Sequence, residues 1–519
     1  MRSQPPSGPV APRAVTLEQV LDDAPLTGYH RRTVVVSGMG FFTDAYDLFV
    51  IGTVGALVAV QWHLGTVATS WVTGAAVLGA FVGALGFGRI ADLFGRKVVY
   101  VTVAVLMIVG ALASAMAPDV VFLVAARFVL GMGIGGDYPV SAVLMSEYSN
   151  RDDRGKLVGM VFSMQALGLI VGPLVAVALL TSGIGHDLVW RLLLGLGAVP
   201  AAAVVYLRAR TPESPRYRAA VEGAAEQAAA ELALLSGSEL ALATASASVK
   251  LGRQRFLRFA TDRRMLRLVI GTAGAWFLLD YAYYGNTLSL PIILKDVDGH
   301  ASMVAKLVWT LAMFVVFAVP GYLLAVVRMD RFGHRRLQLL GFGVMAAAFL
   351  ALGAVHQLTT VVPMFLAIFG FSYFFVEFGP NTTTFVLPSE VFPVNVRTTG
   401  HGIAAGIGKL GAFFGVFFVP ILVDAVGLRG MLLIASGASV LGLLLTFLLP
   451  EPARRGLDDV SASPTTAKTP EEAPAGTSLA FVQPIRPGVA IDGLPNALGA
   501  TTATSGQTGH RTGAAAASR

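Results

Sequence analysis

The chain has 519 residues, 55% of them hydrophobic before its 58 glycines are counted, and only 13% charged. Soluble domains carry about 25% charged residues, so no water-soluble fold could cover this much apolar surface, and the composition is that of a membrane protein. There is no cysteine, which excludes disulfides, thiolate metal sites and cysteine nucleophiles; whether the net charge of +7 points to nucleic acid depends on where it lies.

A spanning helix needs about 20 mostly apolar residues, and about twelve stretches along the chain meet that length. Residues 1–32 are polar and Pro-rich, lack the apolar core of a cleaved signal, and form an N-terminal segment. Spans follow at 33–60, 68–88, 98–116, 120–146, 157–181 and 188–207. A central loop, 208–263, comes next; its Ala/Glu/Gln-rich part, 219–235, reads as short helices on the membrane surface. Six more spans lie at 264–292, 302–327, 337–355, 360–388, 398–423 and 427–449. The Ala, Thr, Pro, Gly and Ser of 450–519 predict a disordered tail. The expected fold is an all-α membrane protein with six-helix bundles over 33–207 and 264–449.

Lys and Arg set orientation. Arg89, Arg96 and Lys97 lie between spans 2 and 3, Arg151, Arg154 and Lys156 between 4 and 5, and Arg328, Arg331, Arg335 and Arg336 between 8 and 9. The alternate loops 61–66, 117–119 and 356–360 hold neither Lys nor Arg. This bias puts both termini in the cytoplasm, accounts for the positive charge, and leaves no role for nucleic acid.

The halves repeat. Asp92-Leu93-Phe94-Gly95-Arg96-Lys97 recurs as Asp330-Arg331-Phe332-Gly333-His334-Arg335 at an offset of 238. Ser146-Glu147 with Arg154 recurs as Ser389-Glu390 with Arg397 at 243, and Asp44 pairs with Asp280 at 236. Parallel repeats of this kind place a binding site near the bilayer midplane, between the halves. Because Asp and Gly recur along with the basic residues, the loops read as a gate latch of Asp92, Arg96, Lys97, Glu147, Arg154, Asp330, Arg335, Glu390 and Arg397. Their ion pairs would break and re-form as the halves rock.

A charge at the bilayer centre costs at least about 2.5–3.5 kcal/mol, so carboxylates kept there need a partner or a function. Asp44 and Asp47 lie in span 1, Asp137 in span 4, Asp280 in span 7 and Glu377 in span 10, against one lysine, Lys409, deep in span 11. In span 7, Trp276, Asp280 and Tyr284 follow at i, i+4 and i+8 and share one face, drifting about 80°. Span 4 carries Gly131, Gly133, Gly135 and Gly136 ahead of Asp137, Tyr138 and Pro139; small residues there allow close helix approach. Span 5 adds Gln165. Span 10 adds Gly379-Pro380-Asn381-Thr382-Thr383-Thr384, a broken-helix signature, with Asn381 at the repeat position of Asp137.

These motifs carry a resemblance. Gly88 to Lys97 resembles the loop signature of the major facilitator superfamily, and Pro212-Glu213-Ser214-Pro215-Arg216 looks like that family's pattern after its sixth helix. Asp44-Ala45-Tyr46-Asp47, Gly135 to Pro139, Trp276-x-x-x-Asp280-x-x-x-Tyr284 and Phe378 to Phe385 resemble its phosphate:proton symporter branch, over about residues 33–456. The resemblance implies uptake of inorganic phosphate with protons. It also implies a substrate pocket of Tyr138, Gln165, Trp276, Asp280, Tyr284 and Asn381, and a proton route through Asp44, Asp47 and Asp137 with Lys409. Glu377 has no counterpart in the pattern.

The chemistry suits that cargo. Near neutrality phosphate keeps a proton, so it can donate to Asp280 while accepting from the Tyr, Gln, Asn and indole donors; fully deprotonated sulfate cannot donate. Without an arginine cluster in the pocket, modest affinity is expected. The alternative is the same fold carrying an organic anion, an organic phosphate or a sugar with protons. No Walker motif is present, since Gly408-Lys409 is followed by Leu410, and the eight histidines show no metal-ligand spacing. The expectation is a transporter in the cell membrane, not an enzyme, surrounded by lipid and working as a monomer, with no catalytic residue, metal or cofactor.

Overall fold

The computed structural model describes residues 21–222, 224, 258–288 and 302–461. Its apolar stretches form 12 helices long enough to cross a membrane, and no strand occurs among the described residues. With water absent from the bilayer core, a helix satisfies every backbone group within its own segment. In chain order these are α1 Gly28–Gln61, α2 Thr66–Phe94, α3 Arg96–Ala115, α4 Val120–Tyr148, α5 Arg154–Thr181 and α6 His186–Ala209. Then follow α7 Arg263–Tyr284, α8 Met303–Phe332, α9 His334–Ala354, α10 Pro363–Val391, α11 Arg397–Phe418 and α12 Ala425–Thr446. The chain is a multi-pass membrane protein of the expected all-α class.

Several ends differ from the hydropathy reading. Apolar length places α1 at 33, but the helix starts at Gly28, and His30 in its first turn is buried with Nε2 3.1 Å from the Tyr148 carbonyl. α2 and α3 meet at Gly95 (φ 100°), and α8 and α9 meet at Gly333 (φ 95°). Only glycine adopts that conformation readily, so the repeated glycine is a backbone requirement of the turn. Part of the expected surface helices, 223 and 225–235, lies outside the described residues; 218–222 form one wide helical turn.

The expected tail is also ordered at its start. Glu451 accepts hydrogen bonds from the backbone N–H groups of His334 (2.9 Å) and Arg335 (3.1 Å). Residues 457–461 are helical, with Leu457 and Val460 buried. Glu451 plays for α9 the part that Glu213, 238 residues earlier, plays for α3 by accepting from Lys97 N (3.2 Å). Burial raises the Glu213 carboxyl above its ordinary pKa, against the pull of Arg96 and the backbone donors of Ser214 and Lys97. The remainder, 462–519, lies outside the described residues.

Helix packing places the site. α2 and α4 lie in backbone contact: a Cβ on Gly131 or Gly135 would strike the Ala76 or Ala80 carbonyl, and one on Gly79 or Gly83 the Phe128 or Met132 carbonyl. The glycine run of span 4 is therefore a packing surface. α2 crosses α11 at Gly88 and Gly402, while α5 passes α8 at Gly159 and Met329. α7 lies along α11. The polar side chains of α1, α4, α5, α7, α8, α10 and α11 converge between these crossings.

Candidate functional site

α7 presents Trp276, Asp280 and Tyr284 inward, all buried. Across from them, α11 carries Lys409, whose Nζ donates to the hydroxyls of Tyr138 (2.9 Å) and Tyr284 (2.8 Å). Nζ lies 4.0 Å from Asp280 Oδ2, and the Trp276 indole is the donor turned toward this carboxyl, though neither oxygen is in a fully formed hydrogen bond. The Tyr138 ring lies 6.0 Å from that of Trp276. The Tyr138 hydroxyl donates to Asp44 Oδ2 at 2.5 Å. Gln165 Nε2 donates to the same oxygen (3.2 Å) and to Tyr138 (3.0 Å).

The network continues into the later helices. Tyr322 of α8 donates to Gln165 Oε1 at 3.2 Å. Asn381 of α10 donates to Tyr322 (2.9 Å) and to Glu377 Oε2 (2.6 Å). The break in α10 aims these two side chains: residues 377–381 form a wide turn in which Gly379 leaves helical geometry (φ −115°, ψ −107°) and Pro380 supplies no N–H. Tyr138, Gln165, Trp276, Asp280, Tyr284 and Asn381 thus share one buried cluster with Asp44 and Lys409. Beside it a cavity of about 20 Å³ touches Asp44, Asp47, Arg127, Tyr284 and Lys409. That is room for one water, so the donors are closed upon the protein's own carboxylates.

Sequence reasoning missed two arginines. Asp47 is paired with Arg127 at 2.5 Å, and Asp137 receives both Arg208 nitrogens at 2.6 and 2.9 Å plus Ser141 Oγ at 3.0 Å. All four charged groups are buried. The excess of acids over bases in the spans is therefore smaller than lysine alone suggests, and both arginines are engaged outside the cluster around Asp280. Arg127 lay inside span 4, where a search for intramembrane cations would have found it. Arg208 was hidden by one residue, because hydropathy ended span 6 at 207. Tyr322, which joins the two parts of the cluster, gave no signal in an apolar span. His401, at the start of span 11, has Nε2 2.9 Å from the Phe385 carbonyl.

The expected latch residues gather on the face that carries the described ends of the chain. Asp92 accepts from the backbone N–H groups of Thr398 (3.3 Å) and Thr399 (2.6 Å) and from the Thr399 hydroxyl (2.6 Å). Asp330 accepts from Gly155 N (3.0 Å) and Lys156 N (2.7 Å), the positions 243 before Thr398 and Thr399. Each aspartate thus caps the first turn of a helix in the other half, a favourable place for a carboxylate. Ser146 Oγ donates to the carbonyl of its repeat mate Ser389 at 3.1 Å.

Arg96 reaches Asp92 (3.2 Å) and Glu147 (3.3 Å), and Arg397 reaches Glu147 at 3.2 Å. Arg154 pairs with Asp22 at 2.8 Å. In the second latch, His334 stands where Arg96 stands in the first: Nδ1 lies 2.8 Å from Glu390 and Nε2 3.3 Å from Asp330. Lys97 and Arg335 sit one residue beyond these pairs, and the Arg335 guanidinium lies over the Phe447 ring.

A family model described as "Sugar (and other) transporter" matches residues 33–463. A protein of Arabidopsis thaliana described as "Probable inorganic phosphate transporter 1-6" is 35% identical over 507 residues, covering 88% of this chain and 98% of its own. "Inorganic phosphate transporter 1-11" of Oryza sativa subsp. japonica is 36% identical, covering 85% and 89%. "Low affinity inorganic phosphate transporter 4" of Lotus japonicus is 35% identical, covering 86% and 94%. Among solved structures, the major facilitator superfamily proton:xylose symporter XylE bound to 6-bromo-6-deoxy-D-glucose superposes with a TM-score of 0.73 at 22% identity, over 83% of this chain and 98% of that one.

Proposed function

Because this chain belongs to the major facilitator superfamily and, within it, to the family of the inorganic phosphate transporters, we propose that it takes up inorganic phosphate with protons by alternating access. Tyr138, Gln165, Trp276, Asp280, Tyr284 and Asn381 hold the substrate. The protein is a transporter and not an enzyme. Its Lys and Arg bias puts both termini in the cytoplasm, and it works as a monomer in the cell membrane.

The observation that carries this reading is the Asp280 carboxyl, buried beside Lys409 and the Trp276 indole with neither oxygen in a fully formed hydrogen bond. A buried polar group of this kind lacks its hydrogen-bond partner, and a protonated phosphate supplies one by donating to it. The other donors are occupied: Tyr138 and Gln165 both serve Asp44. A proton arriving on Asp44 removes the charged acceptor and releases these donors to phosphate oxygens, so proton and anion bind together. Asp47 and Asp137, each paired with an arginine, keep the proton path and the helix bundle in register.

The Asp92 and Asp330 caps, with Glu147 between Arg96 and Arg397, close the cytoplasmic side. Inward opening separates them. The test is uptake of radiolabelled phosphate into proteoliposomes with an inward proton gradient, and with that gradient collapsed, for wild type and Asp280→Asn. Uptake that follows the gradient and is lost in the variant is expected. Correctly folded protein that takes up an organic anion, an organic phosphate or a sugar in place of phosphate would overturn the reading, and sulfate competing as well as phosphate would remove the role given to the phosphate proton.

A further inference from the structure

We propose that Glu377 is a second proton-accepting carboxyl of the transport site, whose protonation releases Asn381 to the substrate; this rests on the phosphate:proton reading above. Glu377 sits at the break of α10 with its side chain fully buried. Its Oε2 accepts from Asn381 Nδ2 at 2.6 Å, and its Oε1 is in no fully formed hydrogen bond. The hydroxyls of Tyr283 from α7 and Tyr322 from α8 face it. α9 packs Leu337 and Gly341 against the break and brings no titratable group to it. Among the described residues, no Lys, Arg or His is paired with it.

That isolation sets Glu377 apart from the other buried acids. Asp47 has Arg127, Asp137 has Arg208, Asp280 has Lys409 within 4.0 Å, and Asp44, though held only by hydrogen bonds, lies in the field of that same lysine. Only hydrogen bonds compensate a charge on Glu377, a costly arrangement in a dry interior. Within the connected cluster, three carboxyls, Asp44, Asp280 and Glu377, face the single cation Lys409. Bringing in a phosphate anion adds negative charge, so one proton on Asp44 leaves the loaded site with an uncompensated carboxylate.

The hydrogen bonds tell what the second proton does. Asn381 has two N–H groups, and both are committed, to Glu377 and to Tyr322. While Glu377 is charged, its charge-assisted bond holds the amide away from the substrate. Protonation weakens that bond and frees Asn381, as protonation of Asp44 frees Tyr138 and Gln165. One carboxyl in each half thus occupies the donors that phosphate needs.

The experiment reconstitutes full-length wild type, Glu377→Gln and Glu377→Asp and finds the membrane potential and pH gradient at which net phosphate flux stops, which gives protons per phosphate. Glu377→Gln is expected to transport with about one proton fewer per phosphate, its slope of log KM against pH falling by about one. Glu377→Asp keeps the wild-type ratio with weaker phosphate binding. An unchanged ratio in a transporting Glu377→Gln overturns this proposal and leaves the phosphate reading standing; absence of phosphate flux in wild type overturns both. Should Glu377→Gln not fold, wild type alone decides. Purified in weakly buffered detergent and corrected for the titration of phosphate itself, it takes up about two protons per phosphate bound, and uptake of about one or fewer overturns the assignment.

Discussion

Arg208→Met tests whether the buried arginines hold the bundle together. Arg208 makes two contacts with Asp137, at 2.6 and 2.9 Å, and neither side chain is more than 3% exposed. Truncating the cation leaves an ionised carboxylate in the interior with only Ser141 Oγ beside it. Breaking one partner of such a pair costs about 3–5 kcal/mol. In a chain of this size each kcal/mol shifts Tm by about 1–2 °C, so a fall of about 3–10 °C is expected. Asp137→Asn alone also destabilises, because it strands the guanidinium. The double variant Asp137→Asn/Arg208→Met buries no charge there and recovers more than half of the loss, since apolar replacement of a whole buried pair is often near neutral. Thermal unfolding of purified full-length protein in detergent, followed by fluorescence of its five tryptophans, measures all four species. A single variant as stable as wild type, or a double variant no better than Arg208→Met, would refute the reasoning.

Gly135→Ala drives a methyl into the Ala80 carbonyl and is expected to cost about 1–3 kcal/mol. Gly86→Ala on α2 meets nothing within 4 Å and should leave Tm unchanged or raised; equal losses in the two variants would deny the α2–α4 contact. His334 bridges two carboxylates, and a neutral imidazole has one N–H while the protonated ring has two. With a carboxylate on each ring nitrogen the imidazole keeps its proton through neutrality, so making the side that carries the termini alkaline, and not acidifying it, should strip the second N–H, loosen this latch and speed counterflow of labelled phosphate. His334→Arg, copying the always-charged Arg96, should be slow and pH-independent, and a variant that keeps the wild-type pH profile would rule the bridge out as the cause.

Helix number and the repeat were legible because each rests on a strong local signal. Bilayer thickness demands long apolar runs, and a left-handed turn demands Gly95 and Gly333. The α7 face was legible for the same reason, since residues at i, i+4 and i+8 must share a side. Partners from distant parts of the chain were not. Nothing local ties Arg208 to Asp137 or Arg127 to Asp47, and a hydropathy window stops short of Arg208 because its own charge lowers the average. In the second latch the permanent charge sits on Arg335, but the 238-residue offset sets His334 against Arg96, and the ion pairs follow the offset. Composition also gave the wrong character to residues 450–461, where Glu451 is drawn in by the unpaired N–H groups at the start of α9.

The latches and the central cluster are linked through two helices. Asp330 caps Gly155 and Lys156 at the start of α5, and Asp92 caps Thr398 and Thr399 at the start of α11. Gln165 lies ten residues beyond Gly155, and Lys409 ten beyond Thr399, each about 15 Å along the axis. The same two side chains are central to the cluster: Gln165 joins Asp44 to Tyr322, and Lys409 joins Tyr138 to Tyr284. α11 is unbroken from Thr399 to Lys409 and cannot leave its cap without carrying that lysine, while α5 reaches Gln165 across one interrupted residue, Met164. A ligand that pulls Gln165 and Lys409 from their carboxylate and tyrosine partners therefore acts on the helices whose ends the aspartates hold. On the proposed reading, loading the site and releasing the latch are coupled through these two helices, and protonation biases that movement by deciding whether Asp44 or the substrate occupies the donors.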